Sequence, residues 1–280
     1  MLKPVGQSSL SKVNNLLKYV QLELKPRGRR TFQVRPDDTF LVSYPRSGNT
    51  WLKFILAHLL CPELKISFNN ILNLMPEVEQ KNQLELEKMA SPRIIKSHYT
   101  FIPEYPKVIY LVRDPRSVFV SEFFYLKRDG IIDKETLFKD VFPYLIDGFP
   151  PHMVRAQYGC WGSHVGSWMG ALGHLPDRMF VLRYEDLKND PVSCIENLVG
   201  FLERKFSKDE ISRAVDSASF SSMKKMDIDR INRNKNIEKQ PFVRGFKNDE
   251  WKNYFNNHML HEMDFKLGSW INYFGYNLFS

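Results

Sequence analysis

The chain has 280 residues, of which 43% are hydrophobic, 14% aromatic and 26% charged, and its 40 lysines and arginines exceed 32 aspartates and glutamates for a net charge of +8. That length supports one large α/β domain or two small ones with a substantial core, and the composition, without repeat or low-complexity tract, excludes a disordered or repeat-built protein. The moderate positive charge suits an anionic ligand (a nucleotide, a sulfated product, a nucleic acid or a membrane surface) without choosing among them, and no segment reaches the roughly 18 to 20 apolar residues of a membrane span.

Residues 1–35 are polar and basic, ending in KPRGRRTFQVR, and predict a helix followed by a surface arm. TFLVSYP (Thr39 to Pro45) reads as a buried strand, broken at RSGN, and TWLKFILAHLL has helical length and periodicity up to Pro62. Strand, glycine turn and helix open a βαβ unit. Short amphipathic pieces follow around Asn70 to Met75 and Leu84 to Met89. RIIKSHY (Arg93 to Tyr99) is the second predicted strand and KVIYLVRD (Lys107 to Asp114) the third. Pro115 then opens the helix PRSVFVSEFFYLKR, because proline is tolerated at the first helical position. MFVLRYED (Met179 to Asp186) is the fourth strand. Residues 227–250 are polar and aperiodic and read as a long loop, and Glu250 to Tyr273 is mostly helical in pattern.

Strands alternating with helices define an α/β protein with a central, mostly parallel sheet flanked by helices. Ligands of such sheets bind beyond the carboxyl ends of the strands. Arg46, His98, Arg113 and Tyr184 all lie at or just past those ends.

The strongest local signal is YPRSGNTWLK, Tyr44 to Lys53. Gly48 lets the backbone approach an anion closely, and the helix N-terminus beyond it presents unpaired N–H groups and partial positive charge. Ser47, Asn49 and Thr50 add short donors. The loop is not G-x-x-x-x-G-K-[ST], so it suits a single phosphate-like group rather than a triphosphate with magnesium, which counts against a P-loop nucleotide kinase. His98 at a strand end offers an imidazole, a suitable general base at cellular pH. Cys61, Cys160 and Cys194 are scattered and never in C-x-x-C spacing, and MLKPVGQSSLSKVNN lacks the apolar stretch of a signal peptide. A reducing, cytoplasmic location without a structural metal is expected.

YPRSGNTW resembles the Y-P-K-S-G-T-T-W loop of the cytosolic-type sulfotransferases, and companion motifs appear in that family's order. KSH (Lys96 to His98) is similar to the family's K-[ST]-H strand end. YLVRDPRSVFVSEFFY (Tyr110 to Tyr125), YGCWGSHVGSW (Tyr158 to Trp168) and RYEDLKNDP (Arg183 to Pro191) resemble its further elements. So do SFSSMKK (Ser219 to Lys225) and FVRGFKNDEWKN (Phe242 to Asn253). The resemblance implies one domain over 1–280 with a P-loop-like sulfotransferase fold: a family-like core at 37–256, the arm before it, and a C-terminal helical segment at 257–280. It implies a donor, 3′-phosphoadenosine 5′-phosphosulfate (PAPS), that leaves as adenosine 3′,5′-bisphosphate (PAP). The family roles then fall to Arg46, Ser47, Gly48, Asn49 and Thr50 for the 5′-phosphosulfate, and to Arg113, Ser121, Arg244 and Gly245 around the 3′-phosphate. Trp51, Tyr184, Phe220 and Met223 would surround the adenine, with His98, Lys96 and Arg46 catalytic and His98 the base.

Two departures stand out. Arg46 replaces the family's usual lysine, and arginine keeps the charge but cannot donate a proton here. The family triplet R-K-G is shortened to Arg244-Gly245. The family's dimer motif has no match in KNYFNNHMLH, which leaves the oligomeric state open. A degenerate relative that binds PAP without turnover remains an alternative. No aromatic-interleaved motif points to nucleic acid. Lys224, Lys225 and the basic run Arg230 to Lys239 read equally as a solvated face or a lid.

The acceptor side is the least legible. The segments Asn69 to Lys88, Thr100 to Tyr105 and Gly130 to Met153 are expected to build it. They mix Phe101, Phe142, Tyr144 and Phe149 with Glu77, Glu79, Glu104 and Asp147. Such a lining is open to a small metabolite, a secondary metabolite or a glycan, attacked at a hydroxyl or at nitrogen.

Overall fold

The computed structural model describes residues 32–79, 83–149, 154–175, 177–233 and 249–279. Four parallel strands form its sheet in the order β2-β1-β3-β4: β1 (Thr39–Val42), β2 (Ile94–Ser97), β3 (Lys107–Val112) and β4 (Met179–Arg183). Their registers follow from alternation. Phe40 and Val42 of β1 and Val108, Tyr110 and Val112 of β3 face one core, while Leu41, Ile109 and Leu111 face the other. Side chains two residues apart share a face, so a strand buried on both sides must be apolar throughout.

On the second face lies α1 (Asn49–Leu60), with Leu52, Phe54, Ile55 and Leu56 inaccessible to solvent. Two short helices follow it, α2 (Ile71–Leu74) and α3 (Gln83–Glu87). The first face is covered by α4 (Pro115–Arg128), α5 (Phe138–Asp147) and α6 (Trp161–Leu172). The helix α4 starts where proline placed it, with the Asp114 side chain accepting from Arg116 N at 2.8 Å as its N-cap. After β4 come α7 (Tyr184–Asn189), α8 (Pro191–Phe201), α9 (Lys208–Ser217) and α10 (Phe220–Arg233). The last helix, α11 (Asn257–Tyr273), lies on α6 so closely that a Cβ on Gly162 would come within 2.7 Å of Leu267. Met259, Met263, Leu267 and Ile271 of that helix join the first core, so the C-terminal segment is built into the main packing.

Three expectations are corrected. The fourth strand ends at Arg183, and Tyr184-Glu185-Asp186 already belongs to α7. Residues 227–233 are helical: Met223 and Asp227 turn inward, and Arg230 Nη2 donates to Asp227 Oδ1 at 2.7 Å, so burial of a polar pair hid the periodicity. The span Gly130 to Met153 contains α5, whose apolar face (Phe138, Val141, Phe142, Leu145, Ile146) is buried. The arm at 1–31 and the basic run beyond Arg233 lie outside the described residues, as do Arg244 and Gly245. Among the described residues no helix is long and apolar enough to cross a membrane.

Candidate active site

Beyond the carboxyl end of β1 the chain turns through Arg46 and Gly48, both with positive φ (68° and 104°), before entering α1. Glycine is required at 48 twice over. Its backbone is left-handed, and a Cβ there would sit 2.5 Å from Tyr184 Cδ2. The loop therefore lies directly on the Tyr184 ring. Ser47 Oγ and both polar side-chain atoms of Asn49 are buried without a hydrogen-bond partner, at a helix N-terminus whose own N–H groups have none within the helix. Buried polar groups normally find partners. The donors among these, the Ser47 hydroxyl, the Asn49 amide Nδ2 and the N–H groups of the first turn, fit a phosphate or sulfonate that accepts from them. Thr50 is half-buried on the first turn of α1.

At the end of β3, Arg113 donates from Nη1 to the Arg46 carbonyl at 3.1 Å, and its guanidinium lies 4.4 Å from the centre of the Tyr184 ring. Its Nε is buried without a partner. Arg46 Nε donates to Ser121 Oγ on α4 at 3.2 Å, and its guanidinium lies 5.0 Å from the Tyr125 ring centre. So Arg46, Arg113 and Ser121, far apart in sequence, form one cationic cluster. Trp51 meets Tyr184 edge-on at 5.8 Å, with its indole N–H held by the Ala218 carbonyl at 3.0 Å. Burial pushes the Tyr184 phenol up to about 12, against the opposing pull of Arg113, so its ring serves as a neutral platform. Phe220 follows half-buried at the start of α10, and Met223 is buried in the same apolar cluster as Tyr184.

His98 follows the last residue of β2. Its Nδ1 lies 2.6 Å from the Ser43 carbonyl oxygen. A carbonyl can only accept, so Nδ1 carries the proton and the lone pair of neutral imidazole is on Nε2. The ring meets Tyr158 edge-on at 5.5 Å. Lys96 is buried, with its ammonium 2.9 Å from Glu77 Oε2, while Lys53 of α1 takes Oε1 of the same carboxylate at 2.7 Å. Burial raises the Glu77 carboxyl, but Lys96 and Lys53 outweigh it and bring it down to about 2.

The model of the Sulfotransferase domain matches residues 36–273. The chain belongs to this sulfotransferase family. It is 34% identical to human sulfotransferase 1E1 over 248 residues, 80% of each chain, and 30% identical to the Bos taurus 1E1 enzyme over 273 residues, 90% of each. A mouse sulfotransferase, SULT7A1, solved in complex with PAP, shares the fold at TM-score 0.66 and 23% identity, covering 93% of this chain and 90% of that one.

Several residues around this candidate site escaped sequence reading. Glu77 and Glu79, expected in the acceptor lining, serve the β2 edge instead: Glu77 pairs with two lysines, and Glu79 Oε1 accepts from His98 N at 2.6 Å. Asp147 pairs with Lys266, and Glu104 is exposed. Ser43, Tyr125 and Glu185 were given no role by the sequence, although the last two lie inside segments that resemble the family. Glu185 accepts from Asp114 N at 3.0 Å and from the Tyr276 hydroxyl at 2.9 Å, joining the ends of β3 and β4 to the C-terminal segment. Among the described residues no group of three or more His, Cys, Asp and Glu is placed to hold a metal.

Proposed function

We propose that this sulfotransferase takes its sulfuryl group from PAPS, releases PAP, and delivers the group to a hydroxyl of a small-molecule acceptor. The observation that carries the reading is the His98 ring, held by Ser43 so that Nε2 keeps a lone pair, at the same sheet edge as the Ser47–Asn49 donor set. His98 Nε2 takes the acceptor's proton as the acceptor oxygen bonds to sulfur. The bond from sulfur to the donor's bridging oxygen breaks, and that oxygen leaves on PAP. Arg46 neutralises the charge that develops there, with Lys96 adding positive potential behind it. Backbone N–H groups at Gly48, Asn49 and Thr50, with the Ser47 hydroxyl, hold the 5′ end. Arg113 and Ser121, with Arg244 and Gly245, hold the 3′-phosphate, and Trp51, Tyr184, Phe220 and Met223 form the adenine side. The donor's charge is thus met by arginines and helix N–H groups rather than by a metal.

Related sequences include a flavonol 3-sulfotransferase of Flaveria bidentis and a 3-alpha-hydroxysteroid sulfotransferase of Cavia porcellus. Hydroxylated acceptors of that kind would meet a base that stands beside the aromatic ring of Tyr158. A reducing, cytoplasmic setting belongs to the same reading, on the scattered spacing of Cys61, Cys160 and Cys194. Transfer of labelled sulfate from PAPS to a panel of phenols and alcohols is the direct test. His98→Ala should lower single-turnover transfer about a hundred- to ten-thousandfold while PAP binding persists. Near-normal transfer by that variant would remove His98 as the base.

A further inference from the structure

The side chains that hold the backbone of His98 form a cluster of their own. The sheet edge at β2 is not bare. Residues 76–79 run parallel to it, with Lys96 N donating to the Pro76 carbonyl at 2.8 Å and Val78 N donating to the Lys96 carbonyl at 2.9 Å. One step further on, this ladder is continued by a side chain: Glu79 Oε1 accepts from His98 N at 2.6 Å. From the opposite side, His164 on α6 reaches the same residue, its Nε2 lying 3.1 Å from the His98 carbonyl oxygen.

The directions of these bonds are determined. The His98 carbonyl only accepts, so His164 Nε2 carries a proton. His164 Nδ1 lies 3.0 Å from the Tyr110 hydroxyl. A neutral ring protonated at Nε2 accepts there, and Tyr110 donates. His164 is completely buried, and burial pushes its imidazole down to about 3, which keeps it neutral throughout the working range. The chain from Tyr110 O–H to His164 to the His98 carbonyl has one polarity only.

We propose that Glu79 and His164 are positioning residues of the sulfuryl transfer. Together they clamp the backbone N–H and C=O of His98 so that Nδ1 stays on the Ser43 carbonyl and Nε2 stays aimed at the acceptor hydroxyl. The proposal rests on His98 being the base. A base must sit within hydrogen-bond reach of the proton it takes, and displacement by about 1 Å can cost on the order of a hundredfold in rate. The same peptide is followed by a second anchor, Trp168 Nε1 donating to the Tyr99 carbonyl at 3.0 Å, which fixes where the chain goes after the base.

The test uses single-turnover sulfate transfer, the KM for donor and the affinity for PAP, with thermal unfolding as the folding control. Glu79→Ala and His164→Phe should each lower kcat about ten- to a hundredfold and leave PAP affinity within about threefold. Glu79→Gln keeps an oxygen that can accept from His98 N, and His164→Gln keeps an N–H that can donate to its carbonyl, so each should recover most of the turnover lost by its disruptive counterpart. In a His98→Ala background all four substitutions should have no further effect on transfer, because the clamp acts only through the base. Multiplicative losses in that background, or Gln variants as impaired as Ala and Phe while equally stable, would overturn the clamp and leave the base standing. Full transfer by His98→Ala alone would instead overturn the base and the clamp with it. If His164→Phe does not fold, the Glu79 pair decides the outcome.

Discussion

The two ends of the sheet satisfy their buried polar atoms in opposite ways. At the amino ends of β1 and β2, Arg93 and Asp38 form an ion pair with no solvent exposure on either side chain. Arg93 donates from Nε to Asp38 Oδ1 at 2.7 Å, from Nη1 to the Leu86 carbonyl at 2.7 Å and from Nη2 to the Gln33 carbonyl at 3.0 Å. All three guanidinium nitrogens have partners within the protein. At the carboxyl ends, Ser47 Oγ, both side-chain polar atoms of Asn49, and Arg113 Nε are buried with none. The chain bends there through left-handed Arg46 and Gly48. Fully paired buried charge makes the first end a structural lock, while unmatched polar atoms around left-handed backbone mark the second as the end shaped for a ligand.

That contrast is broken first at the lock. Arg93→Leu leaves Asp38 buried and unpaired and should cost about 3 to 5 kcal/mol in urea unfolding, with the folded fraction turning over at a near-normal rate. A stability change below about 1 kcal/mol would show that solvent or a neighbour replaces the guanidinium. At the ligand end the effect should move from stability to binding. Arg113→Ala should weaken PAP binding by about 1.5 to 3 kcal/mol, roughly ten- to a hundredfold by titration calorimetry, with little change in the unfolding midpoint. Unchanged PAP affinity would take Arg113 out of the site. The smallest and sharpest effect belongs to Ser47→Ala. Removing a buried hydroxyl that has no partner should leave stability unchanged or raise it by up to about 1 kcal/mol, while PAP affinity falls severalfold. A clear loss of stability with intact affinity would show that the hydroxyl serves the fold.

Much of this was readable along the chain. The four strands, the proline that opens α4, and the glycine between β1 and α1 were legible because apolar runs, proline and glycine act locally. The order of motifs from Tyr44 to Asn253 pointed to the sulfotransferase family before any geometry was known. It also placed Arg46, His98, Arg113 and Tyr184 at one edge, since strand ends of a parallel sheet converge.

The helical course of 227–233 was hidden because its inward residues include Asp227, a buried carboxylate that pairs with Arg230. Glu77 and Glu79 looked like acceptor-lining carboxylates because sequence reports their charge and not their neighbours. Only the packing of residues 76–79 against β2 turned one toward two lysines and the other toward the His98 N–H. His164 stands inside the YGCWGSHVGSW segment that resembles the family, but the direction of its hydrogen bonds was not legible. A tautomer is decided by which donor and which acceptor lie at the two ring nitrogens, and Tyr110 and the His98 carbonyl arrive there from segments 54 and 66 residues away. Sequence by itself determined the strands, the turn and the chemical types at the sheet's edge, because these depend on neighbours along the chain. The tertiary structure alone decided which polar atoms are satisfied and which wait for a ligand, because a hydrogen bond is a fact about two groups brought together in space.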